Sequence, residues 1–145
     1  MASWKKVTLW IVGPLLVMFG GCAALLHRFS ADMCATTVID QFPSPSGKLK
    51  AVVFQIDCGA TTDFNSHVSI VPADADTSKK DSLPQSFFAA DGNRGKAPSG
   101  KGGGPEVRLS WKNDRQLEIQ HHDHVRLIRG ESKSNGVTID YTTFR

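Results

Sequence analysis

Hydrophobic and polar positions follow two different patterns along this chain. Residues 7–26, VTLWIVGPLLVMFGGCAALL, form an uncharged run of twenty. From residue 36 onward the apolar residues fall into short alternating blocks separated by turn formers. Twenty helical residues at 1.5 Å rise reach about 30 Å, the thickness of a bilayer's hydrocarbon core. The run therefore predicts a transmembrane helix over 7–26 within an N-terminal anchor of residues 1–28. A stalk over 29–35 and a domain over 36–145 follow.

The run is longer than the roughly 7–15 apolar residues of a cleaved signal peptide, and it ends in Leu25-Leu26-His27-Arg28 instead of a small-residue cleavage site. Phe19-Gly20-Gly21-Cys22 resembles a bacterial lipobox, which makes a lipoprotein acylated at Cys22 the alternative. Phe19 stands where Leu is usual, and Ala23-Ala24-Leu25-Leu26 keeps the chain apolar where lipoproteins turn polar. Lys5 and Lys6 before the run place the N-terminus on the cytoplasmic side and the domain in the periplasm. Trp4 and Trp10 suit the interfacial belt, and Gly13-Pro14 is a candidate kink.

Beyond the anchor the pattern reads as strands. Residues 36–42 are rich in β-branched side chains, and Pro43-Ser44-Pro45-Ser46-Gly47-Lys48 is a turn. LKAVVFQI, residues 49–56, is apolar on both faces and reads as a central strand. Cys58-Gly59-Ala60-Thr61-Thr62 is a small-residue corner. Strands follow at 67–71, 86–90, 107–111, 116–120, 125–128 and 137–141, with turns at Asn113-Asp114 and Asn135-Gly136. Loops over 72–86 and 91–105 are expected to be flexible. The second contains six glycines and two prolines. The expected architecture is all-β: a single N-terminal transmembrane helix, then a small antiparallel β-sheet or sandwich domain of about seven strands.

Composition narrows the function. Without Lys5 and Lys6, fifteen basic residues face fourteen acidic ones, so the domain is nearly neutral and carries no nucleic-acid footprint. About 115 residues bury one modest core and leave no room for a second domain or a large cleft. Cys34 and Cys58, an even pair on an exported domain, are expected to form a disulfide. Pairing the two strands symmetrically about Ser46 sets position 34 opposite position 58, because each lies twelve residues away.

Candidate chemistry is thin. Gly95-Lys96-Ala97-Pro98-Ser99-Gly100-Lys101 matches most of a phosphate-binding loop, but Gly102 replaces the required Ser or Thr, and Gly103-Gly104-Pro105 cannot open a helix. In His121-His122-Asp123-His124, an extended strand puts His122 and His124 on one face and His121 and Asp123 on the other. The two histidines could begin a zinc or copper site, with His67 as a third ligand from elsewhere. Asp57 and Asp63 could pair as carboxylates but suit turn formation better. No Gly-x-Ser-x-Gly elbow is present. No catalytic, cofactor or metal residue is assigned, and Cys34 and Cys58 are the assigned pair.

Ser44-Pro45-Ser46-Gly47-Lys48 followed by an apolar strand resembles a β-propeller blade opening. Ser46 stands where Asp is usual, and the domain is too short for four blades. The run from Ser44-Pro45 through Asp57-Cys58-Gly59-Ala60-Thr61-Thr62 to Val68-Ser69-Ile70, with Trp111 before Leu117 and Ile119, resembles a group of small bacterial envelope proteins with no assigned activity. The resemblance implies a bacterial, membrane-tethered domain and no known chemistry. The reading that follows is a non-catalytic periplasmic domain that binds another protein, either as an envelope accessory or as a toxin-immunity-type protein. It needs no cofactor. The alternative is a periplasmic metal-binding protein using His121–His124.

Overall fold

The computed structural model describes residues 2–32, 34–59, 63–78 and 83–145, and within the helix the side chains of residues 10–26. Met33 of the expected stalk, Ala60–Thr62 of the small-residue corner and residues 79–82 of the polar loop lie outside the described residues. The chain divides into two compact units, Met1–Cys34 and Ala35–Arg145.

The apolar run lies inside one helix, α1 (Ala2–Asp32), of 31 residues, with Pro14 in its interior. It continues through Asp32, four residues into the expected stalk. Trp10, Val17 and Phe19 are 80%, 75% and 74% exposed. Among the described residues no helix is long and apolar enough to cross a membrane. The described side chains, 10–26, are seventeen of the twenty in the apolar run.

In the second unit, β-branched and aromatic residues at alternate positions build strands. Nine form among the described residues: β1 (Ala35–Pro43), β2 (Leu49–Asp57), β3 (Asn65–Pro72), β4 (Phe88–Asp91), β5 (Val107–Asn113), β6 (Gln116–His122), β7 (Arg126–Gly130), β8 (Lys133–Ser134) and β9 (Val137–Phe144). They make a five-stranded sheet, β1-β2-β3-β4-β7, and a four-stranded sheet, β5-β6-β9-β8. The all-β expectation is met, with two corrections. The strands number nine instead of about seven: eight match the segments read from the pattern, and the ninth, β8, has only two residues, too few to show a period. The domain is also not wholly antiparallel, since β6 and β9 run parallel, with Leu117 opposite Ile139 and Ile119 opposite Tyr141. A parallel pair needs a crossover. Here β7 supplies it by joining the other sheet between β6 and β9.

The core lies between the sheets. Ala51, Val53, Val68, Ile70, Phe88 and Ala90 come from the first sheet, and Leu117, Ile119, Val137 and Ile139 from the second. A smaller cluster covers the other face of the first sheet, where Val52, Phe54 and Val71 pack with Val38, Ile56, Ala75 and Leu83. Strand β2 is thus covered on both sides, as its unbroken apolar pattern predicts. Hydrogen bonds tie one sheet and its turns to the other, among them Trp111 Nε1 to the Phe42 carbonyl (3.0 Å), Asn135 Nδ2 to the Ile70 carbonyl (2.6 Å) and the Ser46 amide to Asp114 Oδ1 (2.9 Å). Hydrogen bonds from the Ser46 hydroxyl and amide hold the Asp114 carboxyl below the usual carboxylate range.

Cys34 and Cys58 form a disulfide. They flank the outermost pair of the β1–β2 hairpin, Ala35 opposite Asp57.

The glycine-rich segment 91–105 makes specific contacts. Its amide at Gly100 donates to the Gly104 carbonyl (2.7 Å), and the Pro105 carbonyl accepts from Ser66 Oγ (2.8 Å). Ala97 is buried. The phosphate-loop-like stretch leads only into a 3-10 turn, Lys101–Gly103, and Lys101 Nζ lies 3.4 Å from Asp40.

Candidate functional site

The most chemically loaded segment of the domain is the turn from β6 into β7 and the edge strand that follows it. Strand β6 ends at His122. The chain then reverses, with the Asp123 amide donating to the Phe144 carbonyl (3.1 Å) and the Val125 amide to the His122 carbonyl (3.3 Å). An extended backbone would send Asp123 to the face opposite its neighbours. The reversal instead brings His122, Asp123 and His124 together, which corrects the alternating-face expectation. Their ligating atoms all lie within 4.8 Å of one another. Asp123 Oδ1 is 3.2 Å from His122 Nδ1 and 3.7 Å from His124 Nε2. The two imidazole centroids are 5.1 Å apart.

Surrounding groups hold this trio. Arg145 Nε donates to Asp123 Oδ2 (3.0 Å), leaving Oδ1 toward the imidazoles. The His124 amide donates to His122 Nδ1 (3.1 Å). The His122 ring stands edge-on to Phe144, whose face carries the Arg108 guanidinium at 4.1 Å. Asn93 Nδ2 donates to the His124 carbonyl (3.0 Å), and the Asn93 amide donates to Asp91 Oδ1 (2.9 Å). Arg126 directs Nε (2.9 Å) and a terminal guanidinium nitrogen to Asp91 Oδ2. Burial of Asp91 would raise its pKa, but Arg126 and the Asn93 amide bring it below the ordinary carboxylate value. A hollow of about 440 Å³ opens beside the trio, lined by Asn93, Lys96, Asp123, His124 and Val125.

The other expected ligands do not join. The His121 ring packs against Phe88 at 5.8 Å, with Nδ1 3.0 Å from the His122 carbonyl. His67 is stacked on Phe54 at 5.4 Å, with Nδ1 3.0 Å from Ser86 Oγ. Burial, then the Arg129 charge, lowers the His67 pKa. His67 is therefore a packing residue on the first sheet. Asp57 and Asp63 act in turns: Asp57 Oδ1 accepts from the Gly59 amide (2.8 Å) and Asp63 Oδ1 from the Phe64 amide (3.0 Å).

Strand β7 is an edge of the five-stranded sheet, and Leu127 and Ile128 on it are 51% and 61% exposed. Ala89 pairs with Arg129 and Ala90 with Leu127, so Ile128 is an extra, bulged residue. Bulges on edge strands break the hydrogen-bond repeat and discourage strand addition. This edge therefore offers side chains, not a free backbone ladder.

Sequence reasoning singled out the two histidines but not Asp91, Asn93, Arg126 or Arg145. The turn formers Asp91-Gly92-Asn93 were the one local signal; their link to residues 122–126 is tertiary. No family model, curated protein or solved structure matches this chain.

Proposed function

We propose that this is a single-pass membrane protein that holds a small β domain in the bacterial periplasm and works by binding another protein, not by catalysis. A twenty-residue uncharged run lies wholly inside a continuous helix and follows Lys5 and Lys6, which supports an anchor with a cytoplasmic N-terminus. The large apolar side chains described in that helix, within residues 10–26, stand exposed, as a lipid-facing surface would. The Cys34–Cys58 disulfide supports an oxidising compartment for the domain.

The observation that carries partner binding is the adjacent exposed pair Leu127 and Ile128 on edge strand β7. Exposed apolar pairs on a rigid sheet edge are what a partner buries. An envelope accessory or an immunity protein acting on a toxin at the membrane fits such a surface.

Two measurements test the reading. A phosphatase active only in the periplasm, fused after Arg145, is expected to be active; activity of a cytoplasm-only reporter there would reverse the topology. A photo-crosslinker at Ile128 is expected to trap one recurrent protein in intact cells, and Leu127→Asp is expected to abolish the adduct. Crosslinking that Leu127→Asp leaves unchanged would remove β7 as the binding surface.

A further inference from the structure

The turn between β6 and β7 holds an arrangement that protein binding does not use. Because the His124 amide donates to His122 Nδ1, that nitrogen presents a lone pair, and the ring's hydrogen belongs on Nε2. The same Nδ1 lies 3.2 Å from the carboxylate oxygen Asp123 Oδ1, with His124 Nε2 3.7 Å from that oxygen. Three atoms able to ligate a metal, one from each residue, thus lie within 4.8 Å of one another.

We propose that His122, Asp123 and His124 form a binding site for a divalent transition metal, zinc or copper(II). The reading is independent of the partner surface on β7. Two imidazole nitrogens and one carboxylate oxygen are the borderline ligand set these ions prefer, and hard ions such as magnesium and calcium prefer oxygen alone. Ligand bonds of about 2.0–2.2 Å require the three atoms to draw closer. His124, whose side chain is 63% exposed on a turn, is free to make that movement. His122 Nδ1 exchanges its hydrogen bond for the metal, and the His124 amide turns to water.

Arg145 acts as an orienting residue. By occupying Asp123 Oδ2 it keeps Oδ1 aimed at the imidazoles, the role outer hydrogen bonds play around metal ligands. Arg145 and Lys96 also bring positive charge to the rim. That charge works against weakly held hard cations and leaves the site to metals that bond nitrogen strongly. Three protein ligands leave a fourth position toward the hollow lined by Asn93, Lys96 and Val125. His121 is not a ligand, because its ring is turned against Phe88.

The test uses the full chain in detergent micelles, stripped with a chelator and titrated calorimetrically with zinc chloride alone, copper(II) chloride alone and magnesium chloride alone. The expected result is one zinc or copper per chain and no binding of magnesium. His124→Ala, at an exposed side chain, and Asp123→Asn are each expected to weaken binding at least tenfold, and His121→Ala to leave it within twofold. X-ray absorption on the zinc-loaded chain gives an independent reading and is expected to show two imidazole nitrogens. Absence of saturable zinc and copper binding, binding unmoved by both His124→Ala and Asp123→Asn, or an all-oxygen shell would overturn the proposal.

Discussion

Cys34 is the residue bridged to Cys58 because, between the outermost pair and the turn, β1 spends nine residues (Ala35–Pro43) against eight on β2 (Lys50–Asp57). Next to the turn, Pro43 pairs with Lys50 and Asp40 with Val53; beyond it, Val38 pairs with Phe54 and Ala35 with Asp57. Ile39 is the residue left over. Without it the inner register would continue outward and set Ala35, not Cys34, against Cys58. A one-residue bulge thus decides which side chain meets the second cysteine.

The bridge closes a loop of about 25 residues, for which loop entropy gives roughly 3 kcal/mol. Cys34→Ala with Cys58→Ala is expected to lower the melting temperature of the domain by on the order of 10 °C. A reductant is expected to reproduce that loss in the parent chain and to leave the double variant unchanged. Equal melting temperatures with and without reductant would show that the bridge adds no stability.

Gly104 makes a sharper test of the segment 91–105. A Cβ at this position would overlap the Asn65 carbonyl oxygen and come 2.6 Å from Ser66 Oγ. Backbone atoms of a central strand cannot yield cheaply. Gly104→Ala is expected to destabilise the domain by about 1–3 kcal/mol, the usual cost of overpacking. Gly92→Ala, where a Cβ meets nothing nearer than 4.0 Å, is the matched control and is expected to be silent. Equal denaturation midpoints for the two variants would mean that the loop does not hold this packing in solution.

Local pattern carried most of the strands and little of their arrangement. Period-two alternation placed β3, β5 and β6, and the two-sided apolar run of β2 announced a strand covered on both faces. The parallel pairing of β6 with β9 has no local signal, because it depends on β7 entering the opposite sheet. Symmetric counting about Ser46 arrived at the Cys34–Cys58 pair by a route the strands do not take. The inner register is centred half a residue later, and the bulge at Ile39 makes up the difference. At the turn after β6 the histidines were visible as candidates. Asp123 was assigned to the wrong face because alternation holds only while the backbone stays extended, and the strand ends at His122. Asn93 and Arg145 reach the turn from 31 and 22 residues away. No spacing rule spans that separation.

Asn135 is expected to show two separable contributions. Its φ is +48°, followed by Gly136 at +76°, the left-handed pair of a tight hairpin turn between β8 and β9. Its side-chain amide also donates to the buried Ile70 carbonyl. Asn135→Gly keeps the backbone and loses that hydrogen bond, at a cost of about 1–3 kcal/mol for the unpaired carbonyl. Asn135→Ala loses the bond and adds roughly 1 kcal/mol of left-handed strain. Denaturant midpoints are expected to fall in the order parent, Asn135→Gly, Asn135→Ala. A glycine variant as stable as the parent would show that the link between the sheets contributes nothing.

His67 sets an acid limit on stability. Its neutral ring stacks on Phe54 and meets Ser86 Oγ, and burial followed by the Arg129 charge lowers its pKa from the ordinary 6.5. The unfolded chain therefore binds a proton at a pH where the folded chain does not. By linkage, stability is full above the unfolded value near 6.5, falls as the pH drops through the window toward the lowered folded pKa, and levels off below it. Asp91 has the same sign but a lower window, since its carboxyl lies below the ordinary carboxylate value and its contribution is lost only in stronger acid. Melting temperature measured between pH 7 and pH 5 is expected to decline in the parent. His67→Gln can still meet Ser86 but does not titrate, and its decline should be shallower by the His67 share. The steeper fall in strong acid should remain, and Asp91→Asn should reduce it. Parallel pH profiles for the parent and His67→Gln between pH 7 and pH 5 would mean that the imidazole is not held neutral against Phe54 in the folded protein.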